Sequence, residues 1–469
     1  MVVSVISSLG APLIPGIAAT YGTSVGSAQW SLTLTLLLGA ISSPVVGRLG
    51  DGPHRRTVLI ACLAAVSFGG VLAATAPSLP LLLIGRALQG LGLAIMPLSM
   101  AAARDALGPR EARRAIAALS VIGAIGIGIG YPVTGVIARY LDLSAAFWFG
   151  VVTSTAALLI AWWIVPSVRA TASTRRIDAG GAVLVMAGLA GFLLAFENGT
   201  AWGWLTLPTL GLGIGSILLL AAWVGHSLRT AEPLVDLRLL QHRSAASLNL
   251  SAFLLGISTY LMIALSIQFV QLDAGLGRTV LDASLTLVPM SVASLLVSAA
   301  MPRIERAIGS REIVPVGAIG IAGAATFSAL TGDALWQTFV TMGLLGSGLG
   351  LSLSSFPNRI LVSVPPGETS SAMSLYQVTR YVGYTVGSGL AVSLLYIFGA
   401  SGQPVSGAYA AAFGVSAGFG LLAAAIAWRF DVDEPAERAG EAAEQEDPAI
   451  RPSAADPTRG IVPPAPPAL

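Results

Sequence analysis

Apolar stretches of about 20 residues recur along this chain as far as residue 430, and nothing else in the sequence limits its fold so tightly. At 1.5 Å per residue such a stretch, coiled as a helix, crosses a hydrocarbon core of about 30 Å. Barrel strands would instead show short alternating segments, so the runs predict an all-α polytopic membrane protein. Composition agrees. The 469 residues are 55% hydrophobic and 10% charged, with a mean hydropathy of +0.80, whereas a soluble domain carries about 25% charged residues. A soluble fold of this composition could not cover its own surface. The single cysteine, Cys62, falls inside an apolar run. That excludes a disulfide framework and a cysteine metal cluster, and reads as apolar packing.

The runs predict fourteen spans: 2–20, 28–47, 57–76, 79–102, 115–138 and 144–165, then a pair at 178–197 and 204–226, then 245–270, 280–300, 313–331, 334–355, 370–398 and 408–429. Arginine placement is an independent test, because cytoplasmic loops hold the excess of positive residues. All 25 basic residues are arginine; with the N-terminus inside, 21 fall in cytoplasmic segments. Only Arg139 and Arg278 fall outside, while Arg86 and Arg380 lie within spans. The expected localisation is the cell (cytoplasmic) membrane, with both termini cytoplasmic.

Similar features recur at nearly constant separation. Arg48 and Arg56 match Arg303 and Arg311 at 255 residues, Gly90 and Gly92 match Gly348 and Gly350 at 258, and Gly126 and Gly130 match Gly383 and Gly387 at 257. A duplicated unit explains three matches in the same order. The expected divisions are a six-helix bundle over 1–166, an inserted helix pair over 167–231, a linker and second six-helix bundle over 232–430, and a tail over 431–469. The tail holds eight prolines and nine acidic residues against three arginines, a composition expected to be disordered. Without it the net charge of residues 1–430 is +8.

Three motifs carry mechanism. After span 2 the chain reads Gly47-Arg48-Leu49-Gly50-Asp51-Gly52-Pro53-His54-Arg55-Arg56. Span 4 contains Arg86-Ala87-Leu88-Gln89-Gly90-Leu91-Gly92, and span 5 runs from Gly123 through Gly126, Gly128 and Gly130 to Tyr131, Pro132 and Gly135. A glycine run lets a neighbouring helix approach closely, and Pro132 removes a backbone donor. An arginine within a span costs about 2.5 to 3.5 kcal/mol on insertion scales, so it needs a polar interior and a partner.

These motifs resemble those of the major facilitator superfamily. Gln29-Trp30, the linker Glu232 to Leu240 and Arg380-Tyr381-Val382-Gly383 are similar to its fourteen-helix drug:proton antiporter subfamily. The resemblance covers residues 1 to about 430 and implies the major facilitator fold, two six-helix bundles plus an inserted pair. It implies that Gly47, Asp51, Arg55 and Arg56 belong to a cytoplasmic gate, with Asp51 latching onto the start of span 13 around Glu368-Thr369-Ser370. It associates Arg86 with proton coupling, the alternative being a structural arginine bonded to backbone carbonyls. Gly126, Gly130, Pro132 and Gly135 correspond to an antiporter motif, which marks exporters. Two positions depart from the pattern: His54 stands where the family has glycine, and Tyr131 interrupts the usual Gly-Pro. A third departure lies in span 1, which lacks the subfamily's aspartate.

The implied function is proton-coupled export of amphipathic organic molecules or drugs by alternating access. Alternatives are a specific metabolite transporter without proton coupling, and a non-transporting receptor or scaffold. Proton-coupling candidates are Arg86, Asp51 and Glu197. Trp30, Gln89, Tyr131, Tyr376, Gln377 and Arg380 are the cavity candidates, Arg380 being open to a second reading as a buried structural cation. Asp178 and Asp282 fit helix first turns as readily as proton sites. The expected partners are a small-molecule substrate, protons and the lipid bilayer, for a monomer that binds no nucleic acid. No catalytic constellation of nucleophile, base and metal ligands recurs, so neither enzyme activity, cofactor nor metal is expected.

Overall fold

The computed structural model describes the chain apart from residues 1, 51–54, 96–97, 100–110, 112–128, 166–177, 204, 232, 234–236, 242, 274, 332–333, 363–368, 400–405 and 431–469. Among the described residues all regular structure is helical. The first group holds α1 (Val2–Ser8), α2 (Ile14–Tyr21), α3 (Val25–Gly50), α4 (Arg55–Ala74), α5 (Leu79–Gly90), a helical stretch over 129–140 and α6 (Leu143–Ile164). A pair follows, α7 (Ala179–Trp202) and α8 (Leu207–Arg229). The second group is α9 (Arg243–Gln271), α10 (Val280–Ile308), α11 (Ile313–Leu330), α12 (Leu335–Val362), α13 (Thr369–Phe398) and α14 (Ser406–Phe430). Among the described residues ten helices are long and apolar enough to cross a membrane.

Spans 2, 3 and 6 to 14 coincide with α3, α4 and α6 to α14, the main difference being that α10 and α12 run on past their apolar cores. Two spans are broken where continuous helices were expected. Span 1 divides into α1, a 3-10 turn at Ala11–Leu13 and α2. Gly10, Pro12 and Pro15 are hydropathically silent, yet proline cannot donate to the helix and its ring crowds the preceding turn. Span 4 tightens into a 3-10 turn at Leu91–Ala94 beyond Gly90, and helix resumes at Ile95.

Helix starts account for two membrane-edge carboxylates. Asp178 caps α7, accepting from the Gly181 amide at 2.8 Å, and its carboxylate also lies 2.7 Å from His226 Nε2 of α8. Asp282 forms a reciprocal capping box with Thr279 at the start of α10. Such caps contribute about 0.5 to 2 kcal/mol each.

Helix pairing recurs between the groups. In the first, α3 packs on α5, α4 on α5 and α4 on α6; in the second, α10 packs on α12, α11 on α12 and α11 on α14. These are equivalent pairs in span order. Between the groups α3 lies along α13, and α7 touches both α3 and α13. The remainder of α8 is open, with Leu210, Ile214, Ile217, Leu218 and Val224 exposed. Apolar side chains in that quantity on an outer face need lipid as their solvent. By contrast α9 is buried on nearly every face, including Ser251, Ser258, Thr259, Ser266 and Gln268.

Candidate functional site

Arg86 on α5 is fully buried between α3 and α5. Its Nη1 donates to Gln89 Oε1 at 2.6 Å, one helical turn ahead, and its Nε donates to the Ser31 carbonyl of α3 at 3.3 Å. The Thr35 hydroxyl donates in turn to the Arg86 carbonyl at 3.0 Å. Nη2 is left unpartnered. The guanidinium thus ties α5 to α3 through one backbone carbonyl and to Gln89 on its own helix. Gln89 is held by that bond and is also buried.

Arg380 on α13 is set differently. It stands eleven residues into its helix, about 16 Å from the end. Tyr376, Arg380 and Tyr384 share one face at intervals of four residues. The guanidinium carbon lies 5.2 Å from the ring centres of Tyr376 and Tyr381 and 5.7 Å from that of Tyr384. Each such contact contributes about 0.5 to 2 kcal/mol. Nη1 donates to the Tyr376 hydroxyl at 3.3 Å, and the buried Nε has no acceptor. No carboxylate pairs with Arg380 among the described residues. The cage extends through Tyr260 of α9, stacked on Tyr384 at 4.3 Å, and Phe356 of α12, stacked on Tyr376 at 5.7 Å.

The cage exists because α9 and α13 cross closely. A methyl on Gly256 would meet the Arg380 carbonyl at 2.8 Å, and one on Gly383 would collide with the Phe253 carbonyl. Only glycine at both positions brings Tyr260 onto Tyr384. A narrow cavity of about 20 Å³, room for about one water, lies beside Arg380, walled by Leu255, Ile321, Leu349, Leu353 and Phe356, with Thr259 and Ser352 as polar points. Its lining comes from α9, α11, α12 and α13, so it lies on the second group's side of the expected position between the groups. From the first group Tyr131 is buried in the same hydrophobic cluster against which Tyr260 packs.

On the arginine-poor side of the bundle the two groups are joined. Gln29 Nε2 of α3 donates to the Ser388 hydroxyl at 2.7 Å and to the Ser388 carbonyl at 3.1 Å on α13, while Gln268 Nε2 of α9 donates to Gln29 Oε1 at 3.4 Å. Gln271 Nε2 donates to the Pro12 carbonyl at 3.0 Å, in the break of span 1. Gly135 sits against Ser284 of α10, where a side chain would be 2.6 Å from the hydroxyl. Gly135 thus borders the second group. Within the first group Ser8 bonds Thr134 at 2.9 Å.

The remaining candidates are dispersed. Gly47 lies on α3, and Asp51, Gly126 and Glu368 lie outside the described residues. Arg55 and Arg56 open α4; Arg56 Nη2 donates to the Trp162 carbonyl at 2.8 Å, and its guanidinium lies over the Trp162 ring. Glu197 is on α7, but its side chain lies outside the described residues. Gly130 is buried and Pro132 half-buried in 129–140. Gln377 is half-buried with Oε1 unpartnered. Trp30 packs with Leu37, Ile41, Val185 and Leu189 against α7 and away from the Arg380 cavity. Sequence reasoning missed Tyr260, Tyr381, Tyr384 and Phe356. The four-residue spacing of Tyr376, Arg380 and Tyr384 was the available signal.

A lipid-bathed bundle with repeated helix pairing and a half-buried cation beside a cavity is the architecture of a membrane carrier. The Major Facilitator Superfamily model matches residues 1–388 and again residues 248–465. The chain belongs to that superfamily, and it is a transporter. It is 25% identical to the uncharacterized MFS-type transporter YvkA of Bacillus subtilis (strain 168), across 83% of this chain and 87% of that protein. It is 27% identical to the multidrug resistance protein B homolog of Mycobacterium tuberculosis (strain ATCC 25618 / H37Rv), across 81% of this chain and 71% of that protein. The fold matches that of the human organic anion transporter MFSD10 (TETRAN) with a TM-score of 0.62 at 16% identity, covering 91% of this chain and 96% of that one. The last likeness is one of fold alone.

Proposed function

We propose that this protein exports amphipathic organic molecules across the cytoplasmic membrane in exchange for protons, by alternating access of the groups 1–166 and 232–430. The observation that carries the reading is Arg380 in its aromatic cage, beside a largely apolar cavity, with Gln29, Ser388 and Gln268 joining the groups on the arginine-poor side. With the N-terminus inside, that side faces outward, so the structure is shut toward the exterior. Release then requires those bonds to break while the Gly47–Arg56 loop closes the opposite side against α13. Apolar walls with few polar groups suit amphipathic cargo, and relatives named for multidrug resistance support the drug class. The pair α7 and α8 docks through α7, which touches both α3 and α13.

The test is flux in proteoliposomes under an imposed pH gradient, with a panel of fluorescent amphipathic dyes. Gradient-driven dye movement is the expected result, and dye retention equal to that of protein-free vesicles for the whole panel would refute export. A second reading has one observation in its favour: Asp178 and Asp282 are engaged as helix caps, which removes both from the proton-carrier candidates. Uncoupled transport of a specific metabolite would give facilitated flux that ignores the gradient.

A further inference from the structure

We propose that the Arg380 cage is an anchor for the anionic group of the cargo, so that the preferred substrate is an organic anion with an aromatic or aliphatic body. The inference rests on the reading of this chain as a carrier, and adds the charge of what it carries. The first observation is the charge balance of the interior. Arg86 and Arg380 lie deep within the spans, whereas the acidic residues of 1–430 lie outside the predicted spans or, for Asp178, Glu197 and Asp282, near their ends, Glu197 being five residues from the end of α7. The second is that the two arginines are not equally available. Arg86 has zero exposure and is bonded to Gln89 and the Ser31 carbonyl, its unpartnered Nη2 being enclosed in the packing between α3 and α5. Arg380 lines the cavity, has one long bond to a neutral hydroxyl and keeps a buried Nε without an acceptor.

A desolvated guanidinium with donors to spare attracts a carboxylate or sulfonate through short charge-assisted bonds. A cationic cargo meets the reverse situation. The faces of Tyr376, Tyr381 and Tyr384 would suit an ammonium, but Arg380 already occupies them. Beyond the guanidinium, Leu255, Leu349, Leu353 and Phe356 offer an apolar wall for the body of the ligand.

The experiment uses the full chain in detergent and two probes sharing one ring system: naphthalene-1-sulfonate and naphthalen-1-ylmethylammonium. Thermal unfolding is followed against probe concentration, since a ligand bound to the folded state raises Tm. The sulfonate is expected to raise Tm saturably and the ammonium to leave it unchanged. Arg380→Gln should weaken the sulfonate effect at least tenfold, Arg380→Lys should keep part of it, and Arg278→Gln, exposed on the arginine-poor side, should keep all of it. An equal sulfonate response in Arg380→Gln, a preference for the ammonium, or no sulfonate response in the wild type would each overturn the proposal. The two-probe comparison on wild type decides the matter even if the glutamine variant does not fold. Dye export that ignores Arg380 would remove the anchor and leave export standing, whereas sulfonate binding without flux of any compound would do the opposite.

Discussion

In the first helical group a buried arginine is bonded to an amide oxygen and a carbonyl, and in the second a half-buried arginine lines a cavity among tyrosine rings. Arg86 reaches an amide oxygen one turn away and a carbonyl on the adjoining helix. Arg380 has aromatic faces around it, one weak hydroxyl contact and a water-sized cavity beside it. A lone cation in an apolar helix carries the same insertion cost in both places, about 2.5 to 3.5 kcal/mol on insertion scales. What differs is the neighbouring helix. Ser31 places a carbonyl opposite α5, whereas the Gly256–Gly383 crossing places rings opposite α13. Each arginine keeps one unmet donor, Nη2 of Arg86 and Nε of Arg380, so burial and unmet donors do not by themselves identify a working residue; the adjoining cavity does.

The largest effect is expected from Gly383→Val, which forces α9 and α13 apart beneath Arg380. Overpacking of this kind costs about 1 to 3 kcal/mol or more; Tm in detergent should fall sharply and flux should vanish. Arg86→Ala should follow. It leaves the buried Gln89 Oε1 without its donor, at about 1 to 3 kcal/mol, while the Ser31 carbonyl keeps the Thr35 hydroxyl at 2.7 Å. Its Tm should drop by several degrees, while flux per folded molecule falls less than in Arg380→Gln. The reverse ranking would break the contrast between the two arginines.

A smaller effect is expected from Gln29→Ala, which removes the bonds to Ser388 and Gln268. At about 1 kcal/mol net per bond, the population open on the arginine-poor side should rise at least several-fold. Val392 of α13 packs against Gly26 of α3 beside this bridge; maleimide labelling of Val392→Cys in a Cys62→Ser background reads that population, and an unchanged rate would show that the polar bridge does not hold the groups together. The smallest is Trp30→Ala. Since Trp30 packs toward α7, half-saturating dye concentration should change by less than twofold.

Most of the helices were legible because lipid imposes a length and an apolarity on each span, and both are local properties of sequence. The breaks in spans 1 and 4 were not, since Pro12, Pro15, Gly90 and Gly92 are as apolar as the residues they interrupt. Arg380 stood out as a charge deep in an apolar run, and Tyr376 lay within one turn of it. Tyr260 was invisible from local pattern: it lies 120 residues away on another helix, and only the close crossing at Gly256 and Gly383 brings it into place. Trp30 illustrates the converse, a side chain whose position on α3 suggested the cavity but whose face is taken by the inserted pair.

The central claim is that this chain is a carrier whose Arg380 cage meets the cargo. Proton-gradient-driven flux in proteoliposomes, measured in parallel for wild type and Arg380→Gln at matched Tm, tests it most directly. Saturable, gradient-dependent flux by the wild type and at least a tenfold lower rate in the variant are predicted. Equal rates in the two proteins, or wild-type rates no greater than those of empty vesicles, would contradict it.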